Sequence, residues 1–169
     1  MPDRRRDRLA LGFDFGLKRI GIASGDTVSG TAAPCATVAI GSHGADWRAI
    51  ERLLQQYRPD VLVVGSPRHA DGSVSDLASA ADRFAAELAR RAALPVQRID
   101  EFASSIEASG ALRASRRSGS RRRRVRHADI DAASAAIILQ RWLGAQRDSD
   151  AHAPERTGAE GKPMDEATK

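Results

Sequence analysis

The run Val61-Leu-Val-Val64 is apolar throughout and mostly β-branched. A strand with one wet face alternates apolar and polar residues, whereas a strand covered on both faces has no such need. The run is therefore expected as a strand in a sheet that carries helices on both sides. Leu9 to Phe15 and Arg19 to Gly25 read as two short strands around Gly16-Leu17-Lys18, a tight-hairpin pattern. Thr31 to Ile40 reads as a weaker third strand. The period then changes: Trp47, Ile50, Leu53, Leu54 and Tyr57 fall at helical spacing, and Pro59 closes that element. After Val64 comes a loop from Gly65 to Gly72, then an amphipathic helix marked by Val74, Leu77, Ala78, Ala81, Phe84, Ala85 and Leu88. Pro95 to Ile99 is a short strand ending at Asp100-Glu101, Ser104-Ser-Ile-Glu107 is a capping box that opens a further helix, and a final helix is expected from about Asp129 to Leu143. No internal repeat is present. This order predicts an α/β fold with a mixed five-stranded sheet, the first three strands antiparallel and the last two parallel to the first.

A chain of 169 residues with 41% hydrophobic content supports one such core rather than two. The single Cys35 excludes an internal disulfide and fits a reducing compartment. No apolar run approaches the roughly 20 residues of a membrane span, and Met1 to Arg8 lacks an export pattern. The expectation is a soluble cytoplasmic protein with a flexible segment 1–8, one domain over 9–145, and a disordered tail over 146–169.

Charge is unevenly spread. Residues 113–126 hold eight arginines and no acid, so the remainder of a chain of net charge +5 sums to −3. Such segregation points to a polyanionic partner.

The acids are placed at structural landmarks. Asp14 falls at the end of an apolar strand among Leu11, Phe13 and Phe15, where an ionised carboxylate needs a cation or donors to match it. Its ordinary alternative is a hairpin cap bonding the amides near Gly16. Asp100 and Glu101 end another strand, and their side chains point to opposite faces, so only one of them can face Asp14. Asp129 suits a helix N-cap. Asp131 lies in line with Ala135, Ile138 and Trp142, on the inward stripe, where a carboxylate is harder to explain structurally. Three acids delivered to one sheet edge are what a magnesium-dependent phosphodiesterase needs.

The residues Phe13-Asp-Phe-Gly-Leu-Lys-Arg-Ile-Gly-Ile-Ala23, Gly30-Thr-Ala-Ala-Pro34, Val64-Gly-Ser-Pro67 with Asp71-Gly-Ser73, Asp100-Glu101, and Ile130-Asp-Ala-Ala-Ser-Ala-Ala-Ile-Ile-Leu139 stand in one family's order. On them the chain resembles the YqgF/RuvX family, the Holliday-junction resolvase and pre-16S rRNA nuclease group, over residues 9–143. The resemblance implies a ribonuclease H-like fold and makes Asp14, Glu101 and Asp131 the acidic active-site positions and metal ligands for Mg²⁺ or Mn²⁺. It also selects Glu101 over Asp100. The chain departs from the family where Arg-Leu-Ser/Thr-Thr gives way to Phe102-Ala-Ser-Ser105, and where Pro-Leu-Asn-Met-Asp-Gly gives way to Pro67-Arg-His-Ala-Asp-Gly72.

Two such ions about 3.5–4 Å apart activate a water and steady the leaving oxygen of a phosphodiester. Lys18, Arg19, Arg68, Arg121, Arg122, Arg123, Arg124 and Arg126 are the candidate phosphate contacts, since each guanidinium can fork onto phosphate oxygens. The arginine run reads alternatively as a solvated loop. His43, His69, His127 and His152 show no zinc spacing. Thr31 and Ser66 read as hydrogen-bonding loop residues, and Gly12 and Gly21 as sites of close packing. The expectation is a metal-dependent nuclease acting on structured nucleic acid, foremost the 5′ end of precursor 16S rRNA in a pre-ribosomal particle, as a monomer or weak homodimer. The alternatives are a dimeric resolvase of four-way DNA and a non-catalytic RNA-binding assembly or transcription factor. An actin-like kinase shares the Asp-x-Gly hairpin but needs two such domains, for which the chain is too short.

Overall fold

Strand β1 (Leu9–Phe15) pairs antiparallel with β2 (Arg19–Asp26), Asp14 standing opposite Gly21. Their turn closes when the Gly16 amide donates to the Arg19 carbonyl at 3.0 Å. This hairpin belongs to a computed structural model that describes residues 7–66, 75–100 and 127–151. Strand β3 (Thr31–Gly41) extends the sheet antiparallel to β2, and its end folds back on β4 (Gly44–Ala45). Strands β5 (Val61–Ser66) and β6 (Val96–Asp100) run parallel to β1, giving the order β4-β3-β2-β1-β5-β6. The mixed sheet is the expected one, with two-residue β4 as a sixth strand at its edge. That short return needs Gly44 at φ +94°, and no alternating pattern announces it.

Helices α1 (Trp47–Tyr57) and α2 (Asp76–Ala92) cover one face, and α3 (His127–Ala151) covers the other. Asp46 caps α1 by accepting from the Ala49 amide at 3.1 Å, and Ser75 caps α2 by accepting from Ala78 at 3.0 Å. The period of two in the strands divides the core cleanly. Leu11, Phe13, Ile20, Ile22, Leu62 and Val64 pack toward α1 and α2 with Phe84 and Leu88. Ala10, Ala23, Val61 and Val63 pack toward α3 with Ala135, Ile138, Leu139 and Trp142. Val61 to Val64 is thus buried on both sides, as its composition requires.

The α3 face is lined by small residues for a steric reason. A Cβ on Gly12 would lie 2.8 Å from that of Leu139, and one on Gly21 would collide with the Asp131 carbonyl. Helix and sheet therefore meet backbone to backbone at the start of α3.

α3 outruns its expected end at Leu143 and passes the domain boundary expected at 145. Its last turns are held by polar side chains that leave no apolar period in the sequence. Arg8 donates to Gln146 at 2.6 Å and stacks over Trp142 at 5.5 Å, and Arg147 donates to the Ser29 carbonyl at 2.8 Å. Arg8, expected in the flexible lead-in, also donates from its amide to Thr27 at 2.8 Å. The loop over 67–72, the helix opened at Ser104 and the arginine run lie outside the described residues. Among the described residues no helix is long and apolar enough to cross a membrane.

Candidate active site

The parallel pairing of β1, β5 and β6 sets their C-terminal ends, Phe15, Ser66 and Asp100, along one sheet edge. In open α/β sheets that edge is where ligands bind. The first turns of α3 reach the same edge, because Asp131 lies against Gly21, the residue paired with Asp14.

Alternation fixes the directions. Ala10 and Gly12 meet α3, so Asp14 continues their face while Phe13 and Phe15 turn to the aromatic core around Phe84. Asp14 is half-buried. The Gly16 amide donates to the Arg19 carbonyl at 3.0 Å. On β6, Gln97 and Ile99 face α3, Gln97 accepting from the Trp142 indole at 2.7 Å. The odd-numbered positions of β6 thus share the face of Asp14.

Asp131 stands on the inward stripe as expected, above fully buried Ala135 and Ile138. Asp129, expected as an N-cap, is instead the third residue of a helix that begins at His127. It lines a groove of about 410 Å³ together with Cys35, Thr37 and Ala132. Thr37 fixes the start of α3 by donating to the Ala128 carbonyl at 2.8 Å.

Arg19 and Lys18, both expected on nucleic acid, part company. Lys18 is exposed at the hairpin tip. Arg19 lies on the α3 face with Gly21, and its Nε donates to Asp131 Oδ2 at 2.7 Å. Both side chains remain partly open to water, at 39% and 28%. No sequence signal marks this pair, whose members are 112 residues apart. Glu101, Arg68, Arg121, Arg122, Arg123, Arg124 and Arg126 lie outside the described residues.

Hard carboxylate oxygens at half-buried positions on one face fit a divalent cation such as Mg²⁺ in their chemistry. Asp14 and Asp131 are two such donors. Among the described residues no third acid, histidine or cysteine completes a cluster. Thr31, expected in a loop, is instead the first residue of β3, its hydroxyl 2.9 Å from that of Ser29.

The architecture has counterparts among solved structures. The yeast mitochondrial Holliday junction resolvase Ydc2 superposes with a TM-score of 0.52 at 12% identity, covering 85% of this chain and 80% of that one. RuvC of T. thermophilus, solved in complex with a Holliday junction substrate, gives 0.50 at 16% identity, covering 82% and 96%. These likenesses establish the resolvase-type, ribonuclease H-like fold. In sequence, a protein of Xanthomonas axonopodis pv. citri named "Putative pre-16S rRNA nuclease" is 43% identical over 141 residues, 83% of this chain and 90% of that protein. The family model described as RuvX, Holliday junction resolvase, matches residues 8–145. The chain belongs to the RuvX family, and with it to the nucleic-acid hydrolases.

Proposed function

We propose that the chain is a metal-dependent nuclease that hydrolyses phosphodiester bonds in structured nucleic acid, with Asp14, Glu101 and Asp131 as its acidic ligands. The observation that carries this reading is that Gly21 pairs with Asp14 in the sheet and packs against the Asp131 backbone, so both acids belong to one face of one sheet edge. Glu101, the residue that follows β6 in sequence, is proposed as the third on the family resemblance. Asp14 and Asp131 would hold Mg²⁺ or Mn²⁺. The ion, when bound, supplies the positive charge that makes hydroxide available near neutral pH and steadies the leaving oxygen. Lys18 at the hairpin tip would offer its ammonium to a phosphate, and the positive charge of the arginines in 121–126 would add to the attraction for a nucleic-acid backbone.

The substrate we propose is precursor 16S rRNA, supported by the name of the 43%-identical relative, and the reading extends to trimming of its 5′ end in the cytoplasm. Purified protein with Mg²⁺ or Mn²⁺ should trim a model precursor, and Asp14→Asn should abolish trimming while preserving the circular dichroism spectrum. Equal cutting by the two proteins would sink the assignment. The family's description favours one rival, two-fold symmetric nicking of four-way DNA by a dimer. Assaying four-way junctions beside precursor RNA separates the two.

A further inference from the structure

Arg19 occupies an odd place for a phosphate-binding residue, because its guanidinium already sits on one of the acids. We infer that Arg19 is a positioning residue that holds Asp131 in reserve, and that it transfers to an incoming phosphodiester, so that substrate and metal bind with positive coupling. The inference rests on the nuclease reading above.

Three features support it. First, the pairing is dictated by the fold. Arg19 is the first residue of β2, its odd number puts it on the face of Gly21, and Gly21 brings the start of α3 into backbone contact there. The Arg19 backbone is itself fixed, its carbonyl accepting from Gly16 at 3.0 Å. Second, the contact is close but not sealed. At 2.7 Å it is a charge-assisted hydrogen bond, yet the side chains keep 39% and 28% exposure. A pair this open is weak enough to exchange partners. Third, the chemistry of exchange is favourable. A guanidinium forks onto a phosphodiester as readily as onto a carboxylate, and the departing Arg19 would release an Asp131 oxygen to a hard cation.

While Arg19 stays on Asp131, it occupies a ligand oxygen and repels a cation from the same edge. Removing it should tighten metal binding in the absence of nucleic acid. It should also erase the help that nucleic acid gives, since coupling between two ligands is reciprocal.

The test is Mn²⁺ titration of the full chain, followed by electron paramagnetic resonance, alone and with a short duplex RNA kept cold and recovered intact. Wild type should bind Mn²⁺ more tightly when the duplex is present. Arg19→Gln should bind Mn²⁺ alone about fivefold more tightly than wild type, the upper end of what a partly exposed ion pair is worth, and gain little from the duplex. Arg19→Lys, which keeps the charge, should stay near wild type and serves as the folded reference if the glutamine variant melts early. Arg19→Gln with native melting behaviour and metal affinity equal to or weaker than wild type overturns the inference. If Mn²⁺ binding is lost in Asp14→Asn but unaltered in Arg19→Gln, only this inference falls. No Mn²⁺ binding by wild type overturns the nuclease reading and this inference with it.

Discussion

Adding one methyl group at position 21 tests how the site is built. The Cβ of Gly21→Ala would collide with the carbonyl oxygen of Asp131 and crowd the amide of Ala132. Both are backbone atoms, so no side-chain rotation relieves the contact. The start of α3 would have to withdraw from β2 by roughly an ångström to reach ordinary separation. Thr37 holds Ala128 and buried Ala135 holds the next turn, so the helix yields only by straining both ties. Overpacking of this kind costs about 1–3 kcal/mol. Restricting the unfolded chain returns about 0.4–1 kcal/mol. A net loss of about 1–2 kcal/mol lowers Tm by roughly 2–8 °C for a domain of this size. Activity should suffer more than stability, because a 1 Å misplacement of catalytic groups costs about a hundredfold. Gly144→Ala is the control: it lies in α3 with nothing within 4 Å of the new methyl, and should stabilise by about 0.5–1 kcal/mol. Urea denaturation and trimming of precursor RNA measure both quantities. A Gly21→Ala protein with the wild-type midpoint and rate would refute the backbone contact between α3 and β2, and the site geometry with it.

Two further outcomes follow from side-chain environments away from the site. Hydrogen bonds from Arg90 at 2.9 Å and Arg91 at 2.6 Å hold the Glu87 carboxyl down to about 2, against an ordinary 4.5. A lowered folded-state value contributes stability that is complete above about 4.5 and lost as pH falls toward 2. Glu87→Gln should therefore flatten the stability profile between those values and leave the profile above pH 5 unchanged in shape, as read by thermal melts. Burial pushes the Cys35 thiol up, with its Tyr57 hydrogen bond only partly opposing. At pH 7.5 it should alkylate more slowly than a free thiol and regain ordinary reactivity in urea, since the thiolate is the nucleophile; alkylation of the folded protein as fast as that of the unfolded chain would contradict its half-buried setting.

The sheet was legible because its strands obey simple periods. Unbroken Val61 to Val64 announced cover on both faces, and the alternation of Leu9 to Phe15 announced which residues turn inward. That Asp131 lies on the inward stripe was legible for the same reason, since it falls in line with Ala135 and Ile138. Asp129 as a cap was misread, because α3 begins two residues earlier at His127. The length of α3 was also missed. Gln140, Gln146 and Arg147 hold its C-terminal half through polar contacts with the chain near Gly30 and with Arg8, and polar contacts across more than a hundred residues leave no period to read. The Arg19–Asp131 pair is hidden for the same reason. Its existence depends on Gly21, which sequence marks only as a place where something comes close.

That dependence links charge to topology. Asp14 and Asp131 bring two carboxylates to one sheet edge, where the α3 backbone at Asp131 and Ala132 lies against Gly21. Arg19 offsets the Asp131 carboxylate across 2.7 Å. In the reading proposed above, each divalent ion bound there would add two positive charges, so the field that draws a phosphodiester would grow as loading proceeds. Arg19 counts on the positive side throughout, yet its charge is useful to the phosphate only once it has left Asp131. On the proposed reading, an edge built this way would be stable empty and attractive once loaded. A design with three unpaired acids would repel itself in the first state, and one with a buried, sealed ion pair would resist reaching the second.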